Sequence, residues 1–295
     1  NGAYVSNPGR IRAYAGGNYL SEAGIEAAEH LVMLSPEVHK ADMLPGWMRG
    51  NSGSKLCQSC HELVKNGVKL QSTYSEWLAS SYAKKGVSCQ GCHFTPGAGE
   101  TVEAGNLVEH YPKRAKVLRH MLGGGSTVNS PRAKDNQAIL REAVGLKAAR
   151  AGNSLTVKVT NLKAGHSMPT GVTDLRQMWL EGTAQDAGGQ SVYSSGVLDA
   201  GGQQPQGTVL FHTVFGDDKG NPLVRHDIWR VAKVLKDTRL KAEETRAVPY
   251  KLPSSARAVR VRLLWRDAPA DFASWVLKQN GADLPTVELA VVNLE

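Results

Sequence analysis

All four cysteines of this 295-residue chain fall in two runs of one pattern, Cys57-Gln58-Ser59-Cys60-His61 and Cys89-Gln90-Gly91-Cys92-His93. C-x-x-C-H is the pattern of covalent haem c attachment. Each thiol adds to a haem vinyl group as a thioether, and the adjacent imidazole is set to bind the iron from one face. The chain must therefore fold around two covalently bound haem c groups, held by Cys57, Cys60, Cys89 and Cys92 with His61 and His93 as proximal iron ligands. The other readings, a zinc site or two disulfides, fit the spacing less well. A four-cysteine zinc ribbon does not need His at the same place after each pair, and a redox C-x-x-C occurs once, in a βαβ context.

The chain is long enough for one large or two ordinary domains. Only four Phe are present, which suits an interior filled partly by porphyrin. Haem c is attached outside the cytoplasm, so the expected location is periplasmic or extracellular. The numbering begins at Asn1 without Met, basic n-region or apolar h-region, as expected of a chain whose signal peptide has been removed. No apolar run is long enough to span a bilayer. The formal charge is +8, with 18 Lys/Arg against 12 Asp/Glu in residues 1–150. Lys113, Arg114, Lys116 and Arg119 make the densest positive cluster. It suits an acidic redox partner, a membrane-bound cytochrome among them, or haem propionates. No aromatic residues interleave with these charges in a stacking pattern, which argues against nucleic acid as a partner.

Hydrophobic spacing predicts helices over Ser21–Leu34, from Pro112 to Leu122, and from Ser130-Pro131 to about Gly152. After Gly152 the pattern changes to alternation, beginning with Leu155, Val157 and Val159. Further strands are expected at 177–184, 192–197, 209–215, 228–234, 245–252, 258–266 and 286–292. The expected fold class is α+β: an N-terminal, mainly helical dihaem domain over 1–152, then a C-terminal antiparallel β-sandwich over 153–295 that contributes a haem-ligand loop.

What fills the second axial position of each iron decides whether such a protein carries electrons or does chemistry. His166, in Ala164-Gly165-His166-Ser167-Met168-Pro169-Thr170-Gly171, is the first favoured distal ligand. It sits in a loop punctuated by Gly and Pro after the first strand, and Met168 is a thioether rival two residues on. His120, beside Gly123-Gly124-Gly125, is the second. His39, in a stretch with Met33, Met43 and Met48, is the alternative. His110 and His30 rank lower, and His212 and His226 read as structural.

At these residues the chain resembles the exported multihaem c-type cytochromes related to the tetrahaem cytochromes of ammonia-oxidising and metal-respiring bacteria. The paired haem segment Lys55–Glu62, Tyr74–Ser80 and Gly86–His93 is similar to theirs. His120 with Gly123-Gly124 is similar to their H-x-x-x-G-G element, and 159–171 to the opening of their C-terminal β domain. In the family both of these His supply haem ligands. Relatives often carry His after the Trp-x-x-Ser element, where this chain has Ser81-Tyr82-Ala83. Many also carry four or more haems, where this chain has two motifs. The resemblance implies a dihaem cytochrome in extracytoplasmic electron transfer, with redox proteins as partners. Two other readings stay open. One is an oxidoreductase with one open iron that reduces peroxide, nitrite or a similar small molecule. The other is an assembly module of a respiratory complex or filament, in which a free sheet edge pairs with another chain.

Overall fold

The computed structural model describes residues 54–93, 133–278 and 280–295. The chain separates into two units, Asn1–Cys60 with Ala83–Met121 and His61–Tyr82 with Leu122–Glu295. His39 and His120, and the helices expected at 21–34 and 112–122, lie outside the described residues.

The expectation of a mainly helical N-terminal domain followed by a β-sandwich is not met. The described residues are mostly β-sheet, with a few short helices. Around the cysteine motifs the helices are α1 (Lys55–His61), α2 (Thr73–Ala79), α3 (Ser81–Lys84) and α4 (Cys89–His93). Each is far shorter than the dozen or so residues at which a helix begins to be stable by itself. Between α1 and α2 the chain forms a hairpin of β1 (Leu63–Lys65) and β2 (Val68–Gln71). Its two-residue turn is Asn66-Gly67, with φ of 50° and 77°. Asn-Gly supplies positive φ at both central positions, which the twist of a tight hairpin requires.

The helix expected to reach Gly152 stops early. Here α5 spans Ala133–Ala143, and Val144–Ala151 is strand β3. Leu146-Lys147-Ala148-Ala149-Arg150 is made of good helix formers. It pairs instead along its whole length with β4 (Ser154–Asn161), from Val144 opposite Asn161 to Ala151 opposite Ser154. Tertiary pairing overrides intrinsic propensity here.

The body of the second unit is built from two antiparallel sheets. One has the order β10-β4-β3, with β10 at Thr245–Lys251. The other has the order β12-β11-β5-β6, and β7 also pairs with β5. Its strands are β5 (Gln177–Gln185), β6 (Ser191–Ser195), β7 (Leu210–Phe211), β11 (Ala258–Arg266) and β12 (Val287–Leu294). Residues β8 (Thr213–Gly216) and β9 (Lys233–Asp237) form a separate pair. Leu155, Val157 and Val159 of β4 alternate inward and meet Met178, Leu180, Val259, Val261, Leu263 and Trp265 in one core. Each such buried side chain contributes about 1.5–3 kcal/mol relative to exposure. A smaller cluster of Leu70, Phe215 and Val231 seats β2 on β8 and the segment before β9, and Asn66 Nδ2 donates to Val231 O at 2.8 Å.

Candidate functional site

Both cysteine pairs belong to the first unit. In α1 and α4 the cysteines stand three residues apart, so each pair lies on one face of one helical turn. The two turns meet. Fully buried Ser54, just before α1, accepts the Cys89 N–H of α4 through its hydroxyl at 3.0 Å. The Cys57 and Cys89 thiols hydrogen-bond to each other, which pushes the Cys57 thiol up and pulls the Cys89 thiol down. Cys60 and Cys92 are exposed. Two thiols on one turn, followed at once by an imidazole, are the donor set of covalent haem c. With Cys60 and Cys92 open to solvent, these residues fit that group. Ser54 carried no signal in the sequence beyond its place three residues before the first motif.

In the second unit His61 ends α1 half-buried, and the Gln71 side-chain amide lies on it, Nε2 to Nδ1 at 3.1 Å. Glu62 next to it accepts the Ser75 backbone N–H at 3.0 Å and pairs with Lys69 at 2.9 Å. Burial draws the Glu62 carboxyl upward, but Lys69 and Ser75 outweigh it and hold the group below the usual range.

His166 stands in the loop between β4 and β5. Three sets of bonds fix that loop. Asn161, fully buried at the end of β4, donates through Nδ2 to His166 O at 2.8 Å and accepts the Ala164 N–H at 3.1 Å. Met168 exchanges backbone hydrogen bonds with Leu240, each 2.8 Å. Glu76 of α2 accepts the Ser167 N–H at 2.9 Å and the Arg239 guanidinium at 2.8 Å. Arg239, 9% exposed, is shared with Asp237 at 2.8 Å. Gly165 lies under Trp77 and Tyr82, and a Cβ there would come within 3.2 Å of both rings. A larger residue would lift the loop off α2.

The His166 ring is half-buried, with Nδ1 3.0 Å from its neighbour's carbonyl, Ser167 O. A carbonyl oxygen only accepts, so Nδ1 carries the proton and the lone pair is on Nε2, the nitrogen suited to a metal. Burial holds the imidazole below its usual range, and the Arg239 charge acts in the same sense. The rival thioether of Met168 is 4% exposed and packed into the core between the sheets. Sequence reasoning missed Glu76, Arg239 and Asn161. Glu76 and Asn161 lie inside matched segments, but nothing in their spacing announces the partner they find 163 or five residues away.

His212 is half-buried beside β8, and burial lowers its pKa. His226 pairs with Asp174 at 2.7 Å. Among the described residues no group of three or more His, Cys, Asp or Glu side chains could hold a metal ion. No described helix is long and apolar enough to cross a membrane.

No protein-family model matches the chain, and no curated protein matches it. Among solved structures it is similar to a penta-heme cytochrome c552 from Thermochromatium tepidum. The TM-score is 0.62 at 24% identity, covering 84% of this chain and 56% of that one. The likeness is one of fold: the chain has a multihaem cytochrome-like fold. It spans just over half the length of that cytochrome.

Proposed function

We propose that this chain is a dihaem c-type cytochrome that carries electrons outside the cytoplasm. The observation that carries this reading is the meeting of the two C-x-x-C-H turns, where the Ser54 hydroxyl beside the first accepts the Cys89 N–H that opens the second at 3.0 Å. Cys57 and Cys60 would hold one haem and Cys89 and Cys92 the other, with His61 and His93 as proximal ligands. The haems supply the one-electron iron couple. The protein's own residues would fix the attachment points and orient the imidazoles.

His166 and His120 are the distal ligands of this proposal. For His166 the support is its tautomer, with Nδ1 held on Ser167 O, and the Glu76, Asn161 and Leu240 bonds that hold its loop. Rigid placement of a ligand favours a closed, six-coordinate iron over an open one. The basic cluster at Lys113, Arg114, Lys116 and Arg119 suits docking of an acidic redox protein.

The test is the intact mass of protein matured in an export system, together with its reduced pyridine spectrum. Two haems per chain are expected, falling to one when Cys57 and Cys60 are both replaced by Ala. A mass without haem, with the thiols free, would end the proposal.

A further inference from the structure

We propose that Gln71 is the positioning residue of His61, and that its amide, with Thr73 and Thr170, sets how strongly that imidazole donates to a haem iron. The inference rests on the haem reading of Cys57–His61 above.

Gln71 closes β2, opposite Leu63 at the start of the hairpin. The hairpin returns the chain so that Gln71 Nε2 lies 3.1 Å from His61 Nδ1. An amide nitrogen donates, so in this structure Nδ1 accepts and the ring proton is on Nε2. An imidazole that gives Nε2 to iron must carry its proton on Nδ1 and needs an acceptor there. Gln71 provides one without moving its backbone. A half-turn about its last torsion exchanges Nε2 for Oε1, two groups of the same reach.

The neighbours allow that exchange. Gln71 Nε2 is 3.4 Å from Thr73 Oγ1, which is 2.6 Å from Thr170 Oγ1. A hydroxyl both donates and accepts, so the string has two complete polarities. In one, Gln71 donates to Thr73 and Thr73 to Thr170. In the other, Thr170 donates to Thr73, and Thr73 and His61 both donate to the Gln71 carbonyl. The string ends in the loop that carries His166, the same loop that Glu76 holds through Ser167. Leu at this position would pack as well in a strand but would leave Nδ1–H without this acceptor. Glu would keep the shape and place a full negative charge on it.

The test uses the two-haem protein with Gln71→Leu, Gln71→Glu and Thr170→Val, read by potentiometric titration of each haem and by electron paramagnetic resonance. Gln71→Leu makes His61 a weaker donor and favours the reduced iron. Gln71→Glu favours the oxidised iron. Each is expected to change the reduction equilibrium of one haem by about tenfold, or about 59 mV for one electron, in opposite directions. The other haem stays at its wild-type potential. Thr170→Val removes the donor behind Thr73, so Thr73 competes less for the Gln71 carbonyl, and it shifts the same haem in the direction of Gln71→Glu, by less. Glu is isosteric with Gln, so the charged variant stands as a test even if Gln71→Leu does not mature. With two haems still present by mass, no shift, shifts of one sign in both Gln71 variants, or equal shifts at both haems overturn the inference. Absence of haem from the unsubstituted protein strikes the haem reading instead.

Discussion

Replacing Glu76 by Ala removes the acceptor that joins α2 to both the His166 loop and Arg239. In the native structure Glu76 accepts from Ser72 Oγ at 2.7 Å, from Ser167 N at 2.9 Å and from Arg239 Nη2 at 2.8 Å. The Arg239 and Glu76 side chains are 8% and 18% exposed. A hydrogen bond to a charged group contributes about 1.5–3 kcal/mol, and breaking a buried ion pair costs about 3–5 kcal/mol. Two features reduce the sum. Arg239 keeps two bonds to Asp237, at 3.0 and 2.8 Å, so its charge is not left unpaired. Ser72 can turn to solvent. What remains is a 7% exposed Ser167 with an N–H that has lost its acceptor, and a half-compensated guanidinium. The expected loss is about 3 kcal/mol from these terms together. With a guanidinium slope of about 4 kcal/mol per molar, the midpoint of unfolding falls by about 0.75 M. The control is Glu142→Ala, which removes a Lys163 pair exposed at 66% and 68% and should cost less than about 0.5 kcal/mol. Denaturant unfolding followed by circular dichroism measures both. A Glu76→Ala loss no larger than that of the control would refute the claim that this network holds the loop.

Three further outcomes follow from named contacts. His166→Ala should convert one haem of the oxidised protein to high spin in its visible spectrum and open it to carbon monoxide when reduced. Unchanged low-spin bands would remove His166 from the ligand set. Burial draws the Asp237 carboxyl upward, but hydrogen bonds and charge from Arg239 hold it below its usual range. Its stabilising share is therefore present above the unfolded carboxylate pKa of about 3.9 and is lost as the pH falls through the lower folded value. The stability gap between wild type and Asp237→Asn should thus close in unfolding experiments below about pH 4; a gap constant with pH would contradict the pairing. Gly196 has φ of 70°, and a Cβ there would lie 2.2 Å from Leu180 O, whereas Gly189 at φ 80° faces open space. Gly189→Ala should cost about 1–2 kcal/mol from backbone conformation alone, and Gly196→Ala clearly more in the same unfolding assay, with equal costs refuting the contact.

The parts of the fold legible in the sequence are those where one local pattern has one outcome. Ala258–Arg266 and Gln177–Gln185 lie where β-branched and aromatic residues mark strands, within a residue of expectation. The expected strand at 209–215 is broken at His212, because its first half pairs with β5 and its second with β9. That division is a matter of partners, which periodicity does not encode. The strand expected at 228–234 begins instead as a short 3-10 turn at Ile228–Arg230 and pairs only from Lys233. The Asn66-Gly67 hairpin had a clear local signal that the helical reading of the haem region passed over. The Ala-rich β3 had the opposite signal, and only its pairing with β4 shows it to be a strand. At the site, Cys57, Cys60, His61, Cys89, Cys92, His93 and His166 could be named because their residue types announce chemistry. Gln71, Glu76, Asn161 and Arg239 could not, since ordinary polar residues acquire their roles only through contacts that the fold creates.

Low-temperature electron paramagnetic resonance of the oxidised protein tests the central claim most directly, because spin state reports the axial ligands of each iron. Two low-spin ferric signals of equal weight, at positions typical of paired imidazoles, are the expected result for a closed electron carrier. A stoichiometric high-spin signal would mean an iron without its second protein ligand and would contradict that account.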